Sequence, residues 1–125
     1  MLPMVIFNGV ACMHEMAIAQ GILDIAVDAA IRHNAAKVLS IKLLVGRMTQ
    51  VEPESLAFCF SALAAGSPAD GAKLDVTIVP LTGRCNGCGH EFSIQQFCFV
   101  CPLCGSPGVE ILSGRELMVE HLEVE

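Results

Sequence analysis

The chain has 125 residues, 54% of them hydrophobic and 16% charged, with a formal net charge of −6. This length fits one main domain with at most a small satellite, and the apolar content excludes a disordered tail. Seven Lys and Arg lie scattered among thirteen Asp and Glu, and Trp and Tyr are absent. The chain therefore lacks both the basic surface and the stacking platforms that nucleic-acid binding uses. No apolar run reaches the roughly 18 residues that a membrane span needs.

Residues 1–12, MLPMVIFNGVAC, are apolar and carry no basic side chain, so they do not read as a secretory leader. They read as an extension from an upstream start or a non-native addition, with an extra edge strand as the alternative. From Met13 the periodicity predicts a helix. Met16, Ala19, Ile22, Leu23, Ala26 and Ala30 fall on one face, Gln20, Asp24, Asp28 and Arg32 form a polar stripe, and Asn34 is the stop. Leu39, Ile41, Leu43 and Val45 then alternate with Val38, Ser40, Lys42 and Leu44, the pattern of a strand whose fully apolar face, Leu39 to Val45, turns to the core, ended by Gly46. Pro53 suits the first position of a second helix, whose stripe is Leu56, Phe60 and Leu63 and whose end is Gly66. A loop over 67–71 leads to a strand through Ala72, Leu74, Val76 and Ile78, stopped by Pro80.

Residues 84–108 are rich in Cys, Gly and Pro and show no sustained period. Beyond them, Leu117 and Val119 share one parity, whereas Leu122 and Val124 share the other. One strand can face both pairs inward only if an extra residue intervenes, which predicts a β-bulge near Glu120–His121. The pattern predicts an α+β fold: a short, mainly antiparallel sheet with two helices on one face, plus an inserted four-cysteine zinc-ribbon subdomain. The expected division is an extension over 1–12, a main α+β domain over 13–82 and 109–125, and a zinc-binding domain over 83–108.

The insert carries the clearest chemistry. Cys85-Asn86-Gly87-Cys88-Gly89 and Cys101-Pro102-Leu103-Cys104-Gly105 repeat one device. Four thiolates suit tetrahedral Zn(II), and a glycine after each pair allows a tight turn that aims backbone N–H groups at sulfur. Neither pair opens a helix, as a redox C-x-x-C would; an iron–thiolate site has the same ligands and is the alternative metal. Seven cysteines with this spacing indicate a reducing, cytoplasmic setting. Cys98, between two phenylalanines, reads as a small core residue, as does Cys59. His90 stands beside a site already filled by four sulfurs. A closed tetrathiolate has no vacant position for substrate, so the site is structural and the protein is not expected to be an enzyme.

His14 has a different character. In a chain beginning at Met13, the terminal amine, the His14 amide nitrogen and its imidazole would chelate one metal in fused rings. Such nitrogen-rich planar donors favour Ni(II) or Cu(II). Met13-His14-Glu15-Met16 resembles the start of the HypA/HybF nickel-incorporation proteins. Val45-Gly46, Val51-Glu52-Pro53-Glu54 and Phe58-Cys59-Phe60 are similar to that family's central segment. The paired cysteines match its zinc loop, and Gly114-Arg115-Glu116-Leu117 with Leu122-Glu123-Val124-Glu125 resembles its ending.

The resemblance implies a metallochaperone that delivers Ni(II) to the [NiFe]-hydrogenase large-subunit precursor together with a HypB-type GTPase. Urease maturation proteins are further partners for some relatives. It also implies that His14 binds nickel, supported by Met13 and Glu15, and that Cys85, Cys88, Cys101 and Cys104 hold zinc. The chain is expected to be a monomer or homodimer, with neither nucleic acid nor membrane as partner. The alternative is a zinc-ribbon adaptor that binds nucleic acid or protein. The twelve-residue extension departs from the family pattern, because a retained extension leaves Met13 with an amide in place of an amine.

Overall fold

The structure, a computed structural model, describes residues 4–5 and 15–125. Its elements in chain order are β1 (Met4–Val5), α1 (Glu15–Arg32), β2 (Val38–Gly46), a short 3-10 turn (Arg47–Thr49), α2 (Pro53–Ala64), β3 (Lys73–Val79), β4 (Thr82–Cys85), β5 (Glu91–Ser93), β6 (Val109–Ser113) and β7 (Leu117–Val124). They build two sheets, ordered β1-β7-β2-β3 and β5-β4-β6. Four of the five strand pairings are antiparallel. The exception is β2 with β3, which run parallel because α2 carries the chain back to the starting end of the sheet. The expected α+β class, with its two helices and a sheet rich in antiparallel pairs, is what the structure has. The first twelve residues contribute β1, whose Met4 and Val5 pair with Val119 and Met118 at the sheet edge.

One core joins both helices to the larger sheet. Ile18, Ile22 and Ala26 of α1 meet Leu56 and Phe60 of α2 over Ile41, Leu43, Val119 and Leu122. Burying such side chains contributes about 1.5–3 kcal/mol each, so this layer carries most of the hydrophobic stabilisation. Local signals end the helices as anticipated. Asn34 takes φ 52° and the Ala35 N–H reaches back to the Ala30 carbonyl at 2.8 Å, the bond that closes a Schellman turn. Pro53 opens α2, with the Glu52 carboxylate accepting the Glu54 N–H at 3.4 Å, and Gly66 follows at φ 80°.

Two face assignments need correction. Met16, expected on the apolar face of α1, is 47% exposed, while Ile18 and Ala29 are buried. Ala19, Ile22, Leu23, Ala26 and Ala30 are buried as expected; Ile18 and Ala29 widen the stripe, and Met16 alone leaves it. Leu39, expected to face the core, is 40% exposed, and Val38 is buried instead. The ladder between β2 and β7 shifts register between Val38 and Ser40, which reverses the parity of the strand's first residues. The second shift in that ladder is the anticipated bulge. Lys42 opposes His121 and Leu43 opposes Val119, so Glu120 is the extra residue and both Val119 and Leu122 reach the core.

The segment without visible period holds β5 and the end of β4, which join β6 in a three-stranded sheet. Their sheet draws on Thr82 and Val109–Ser113 as well as on the cysteine loops between them. Leu81 and Ile94 are buried beneath it, apart from the main core. A groove of about 770 Å³ separates the two sheets and is lined by Arg47, Gln50, Glu52, Ile78, Ile94 and Phe97 among others.

Candidate metal centre

Each C-x-x-C turn begins where a strand or loop delivers a cysteine with its backbone already engaged. The Cys85 N–H bonds the His90 carbonyl at 2.9 Å, and the Cys101 N–H bonds the Ser106 carbonyl at 3.0 Å. The Gly89 N–H then returns to the Cys85 carbonyl and the Gly105 N–H to the Cys101 carbonyl, both at 2.9 Å. Gly89 and Gly105 stand at φ 77° and 76°. That left-handed backbone is open to glycine at little cost, and it folds each loop over its own sulfurs.

The two loops bring Cys85, Cys88, Cys101 and Cys104 together, with their sulfur atoms all within 4.8 Å of one another. The Sγ atoms of Cys85 and Cys104 lie 3.5 Å apart, and those of Cys88 and Cys101 lie 3.7 Å apart. Four thiolates at about 2.3 Å from a tetrahedral Zn(II) stand about 3.8 Å from one another, so the donor set and its spacing fit zinc. Backbone N–H groups complete the surroundings. Gly87 and Cys88 donate to the Cys85 sulfur at 3.3 and 3.4 Å.

The hydrogen bonds divide the sulfurs into two kinds. The Cys88 N–H, aided by that of Gly87 and opposed by burial, lowers the Cys85 pKa to about 6. Cys101 is lowered in the same manner by the N–H groups of Cys104 and Leu103. The Ser106 N–H favours the Cys104 thiolate, but thiol bonds to Cys85 and Cys101, with burial, outweigh it and push Cys104 up to about 12. Cys88 is raised despite the His90 N–H, chiefly through its bond with Cys101. The inner cysteine of each loop is thus disposed to ionise and the outer one to keep its proton.

Of the other expected residues, Glu15 begins α1, and its carboxylate accepts the Glu52 N–H at 3.4 Å. Met13 and His14 lie outside the described residues. His90 contributes its backbone to the cluster, while its ring stacks on Phe92 with centroids 5.8 Å apart. Cys59 packs against the main core, as expected. Cys98, expected inside, is exposed. Its N–H bonds the Gln95 carbonyl in a turn that carries Gln96 and Phe97 at positive φ, and this turns the loop outward. Glu52 was not singled out as a partner of Glu15. Its place before Pro53 marks it as a helix cap, but nothing local shows that the two helix starts meet.

A family profile described as hydrogenase/urease nickel incorporation, metallochaperone, hypA matches residues 13–124. The chain belongs to this family. A hydrogenase maturation factor HypA of Desulfitobacterium hafniense is 40% identical over 114 residues, covering 90% of this chain and 99% of its own. One from Chlorobaculum parvum is 43% identical over 113 residues, covering 90% and 100%. The solution structure of the Ni metallochaperone HypA from Helicobacter pylori superposes with a TM-score of 0.64 at 23% identity, covering 90% of this chain and 97% of that one. A second solution structure of a HypA protein gives 0.68 at 22% identity, covering 91% and 98%. The fold is therefore that of HypA structures, and the alternative of a general zinc-ribbon adaptor gives way to the family.

Proposed function

We propose that this protein binds Ni(II) at the segment Met13-His14-Glu15 and passes it to a [NiFe]-hydrogenase large-subunit precursor. Cys85, Cys88, Cys101 and Cys104 hold a structural Zn(II) that folds the second sheet. The observation that carries this reading is the extent of the family match, which begins at Met13 and runs through both cysteine pairs. The division of labour follows from coordination chemistry. A closed tetrathiolate retains its metal, whereas a site of few ligands near a terminus can release one. On this reading the main domain comprises 13–82 and 109–125, the zinc-binding domain 83–108, and residues 1–12 form an extension. The partners are a HypB-type GTPase and the hydrogenase precursor, with urease maturation proteins as further partners. The work is binding and transfer rather than catalysis, in the cytoplasm, where thiolates stay reduced.

The test is His14→Ala. Nickel titration should show binding lost, and cells lacking the protein should not regain hydrogenase activity, while zinc content and circular dichroism stay as in the parent. His33, just beyond α1, and the half-exposed His121 of β7 serve as controls. Parent-like nickel binding and rescue by His14→Ala would disprove the reading. A parallel titration of the 1–125 and 13–125 forms measures the share of the Met13 amine, since only the shorter form offers it.

A further inference from the structure

Thr49 is the buried polar side chain of the described residues, with 6% of its surface exposed, and the cysteine cluster makes no use of it. Its hydroxyl donates to the Gly46 carbonyl at 2.8 Å and accepts the Val51 N–H at 3.3 Å. These bonds bracket Gln50, which stands at φ 58°, a left-handed backbone that side-chain-bearing residues adopt only when their surroundings hold them there. The segment is clamped at its start as well. The Gly46 N–H bonds the Glu116 carbonyl at 2.6 Å and the Met48 N–H bonds the Gly114 carbonyl at 2.8 Å. At its other end the Glu52 N–H reaches the Glu15 carboxylate, and Glu15 directly follows His14 in sequence.

We infer that Thr49 is a positioning residue for nickel binding: its hydroxyl fixes the strap from Gly46 to Glu52, which sets the Glu15 carboxylate at the start of α1. The inference rests on the nickel role proposed for His14. A hydroxyl buried among apolar side chains is unfavourable unless it is fully bonded. Valine would fill the same volume but could neither accept the Val51 N–H nor hold Gln50 in its turn. The single bond between Glu52 and Glu15 is long, so the carboxylate's orientation depends directly on where the strap places that N–H.

The experiment is a Ni(II) titration of the full chain as parent, Thr49→Val and Thr49→Ser, each also combined with Glu15→Ala. Zinc content and thermal midpoint are measured alongside. Thr49→Val is expected to weaken nickel binding by roughly five- to tenfold, the effect of losing one buried hydrogen bond. Thr49→Ser, which keeps the hydroxyl, should return it to within about twofold of the parent. In the Glu15→Ala background Thr49→Val should have no further effect, because both changes break one path. Parent-like binding by Thr49→Val, or equal weakening in both backgrounds, overturns the inference. If Thr49→Val does not fold, Thr49→Ala carries the same expectations. His14→Ala in the same series separates the two readings. If it abolishes binding while Thr49→Val is parent-like, only the positioning role falls; if it too binds like the parent, the nickel site itself falls.

Discussion

A hydrogen atom in place of a side chain decides the junction between the two sheets. A Cβ on Gly46 would overlap the Gly114 carbonyl, and one on Gly114, at φ 114°, would stand 2.7 Å from the Leu81 Cα. Backbones approach here without intervening side chains, and neither partner is the flexible end of a chain that could move aside. Gly46→Ala and Gly114→Ala should each destabilise the protein by more than about 3 kcal/mol in urea unfolding. Gly66→Ala is the contrast. It meets nothing within 4 Å but sits at φ 80°, so only its backbone conformation opposes a side chain, at about 1 kcal/mol. Equal effects at all three positions would show that the junction is not tightly packed.

At the scale of elements, α1 and β7 show how burial overrides a simple pattern. Ile22 is fully buried between α2 and the sheet, whereas Met16 is half exposed. Ile22→Ala should therefore cost about 2–5 kcal/mol, and Met16→Ala should stay within about 0.5 kcal/mol. Comparable losses at the two positions would place Met16 on the buried face beside Ile22, as periodicity alone does. In β7 the extra residue Glu120 lets Leu117 and Val119 share the core with Leu122. Deleting Glu120 should turn one of these sets toward solvent. The expected result is a large loss of stability with increased binding of a hydrophobic dye, while Glu120→Ala, which keeps the chain length, should be nearly neutral.

Across the whole molecule, the two sheets depend on different sources of order. The larger has a continuous apolar core, whereas the smaller has little beyond Leu81, Ile94 and the inner cysteines. A chelator should therefore remove amide-exchange protection from residues 85–105 while leaving α1, α2 and β2 protected. The cysteine pKa values set the pH dependence. Zinc requires thiolates, so protons still bound at a given pH must leave as the metal enters. At pH 7.5 Cys85, lowered to about 6, is already ionised, while Cys104, pushed up to about 12, and the raised Cys88 hold their protons. Zinc uptake should release at least two protons at that pH, from Cys104 and Cys88, and more below pH 6, where Cys85 is protonated as well. Affinity for zinc should accordingly fall with acidification, and fall more steeply below pH 6. Calorimetry in buffers of different ionisation enthalpy measures the proton count, and a count independent of pH would contradict this division of the sulfurs.

The metal cluster was readable because its requirements are local: a fixed spacing within each pair and a glycine whose backbone freedom closes the loop. The helix ends at Asn34, Pro53 and Gly66 and the bulge at Glu120 were readable for the same reason, since φ preferences and side-chain parity act over a few residues. The exposed positions of Met16, Leu39 and Cys98 were not, because each depends on what a distant segment leaves uncovered. Nor could the chain pattern show that Gly46 would meet Gly114, that Thr49 would be sealed inside its turn, or that the starts of α1 and α2 would join through Glu15 and Glu52. By itself the sequence determined both helices, the strands β2, β3 and β7, the four sulfurs and the family. Only the tertiary structure decided which faces are buried and which backbones touch, because those follow from long-range packing, in which each contact is fixed by residues far away in the chain.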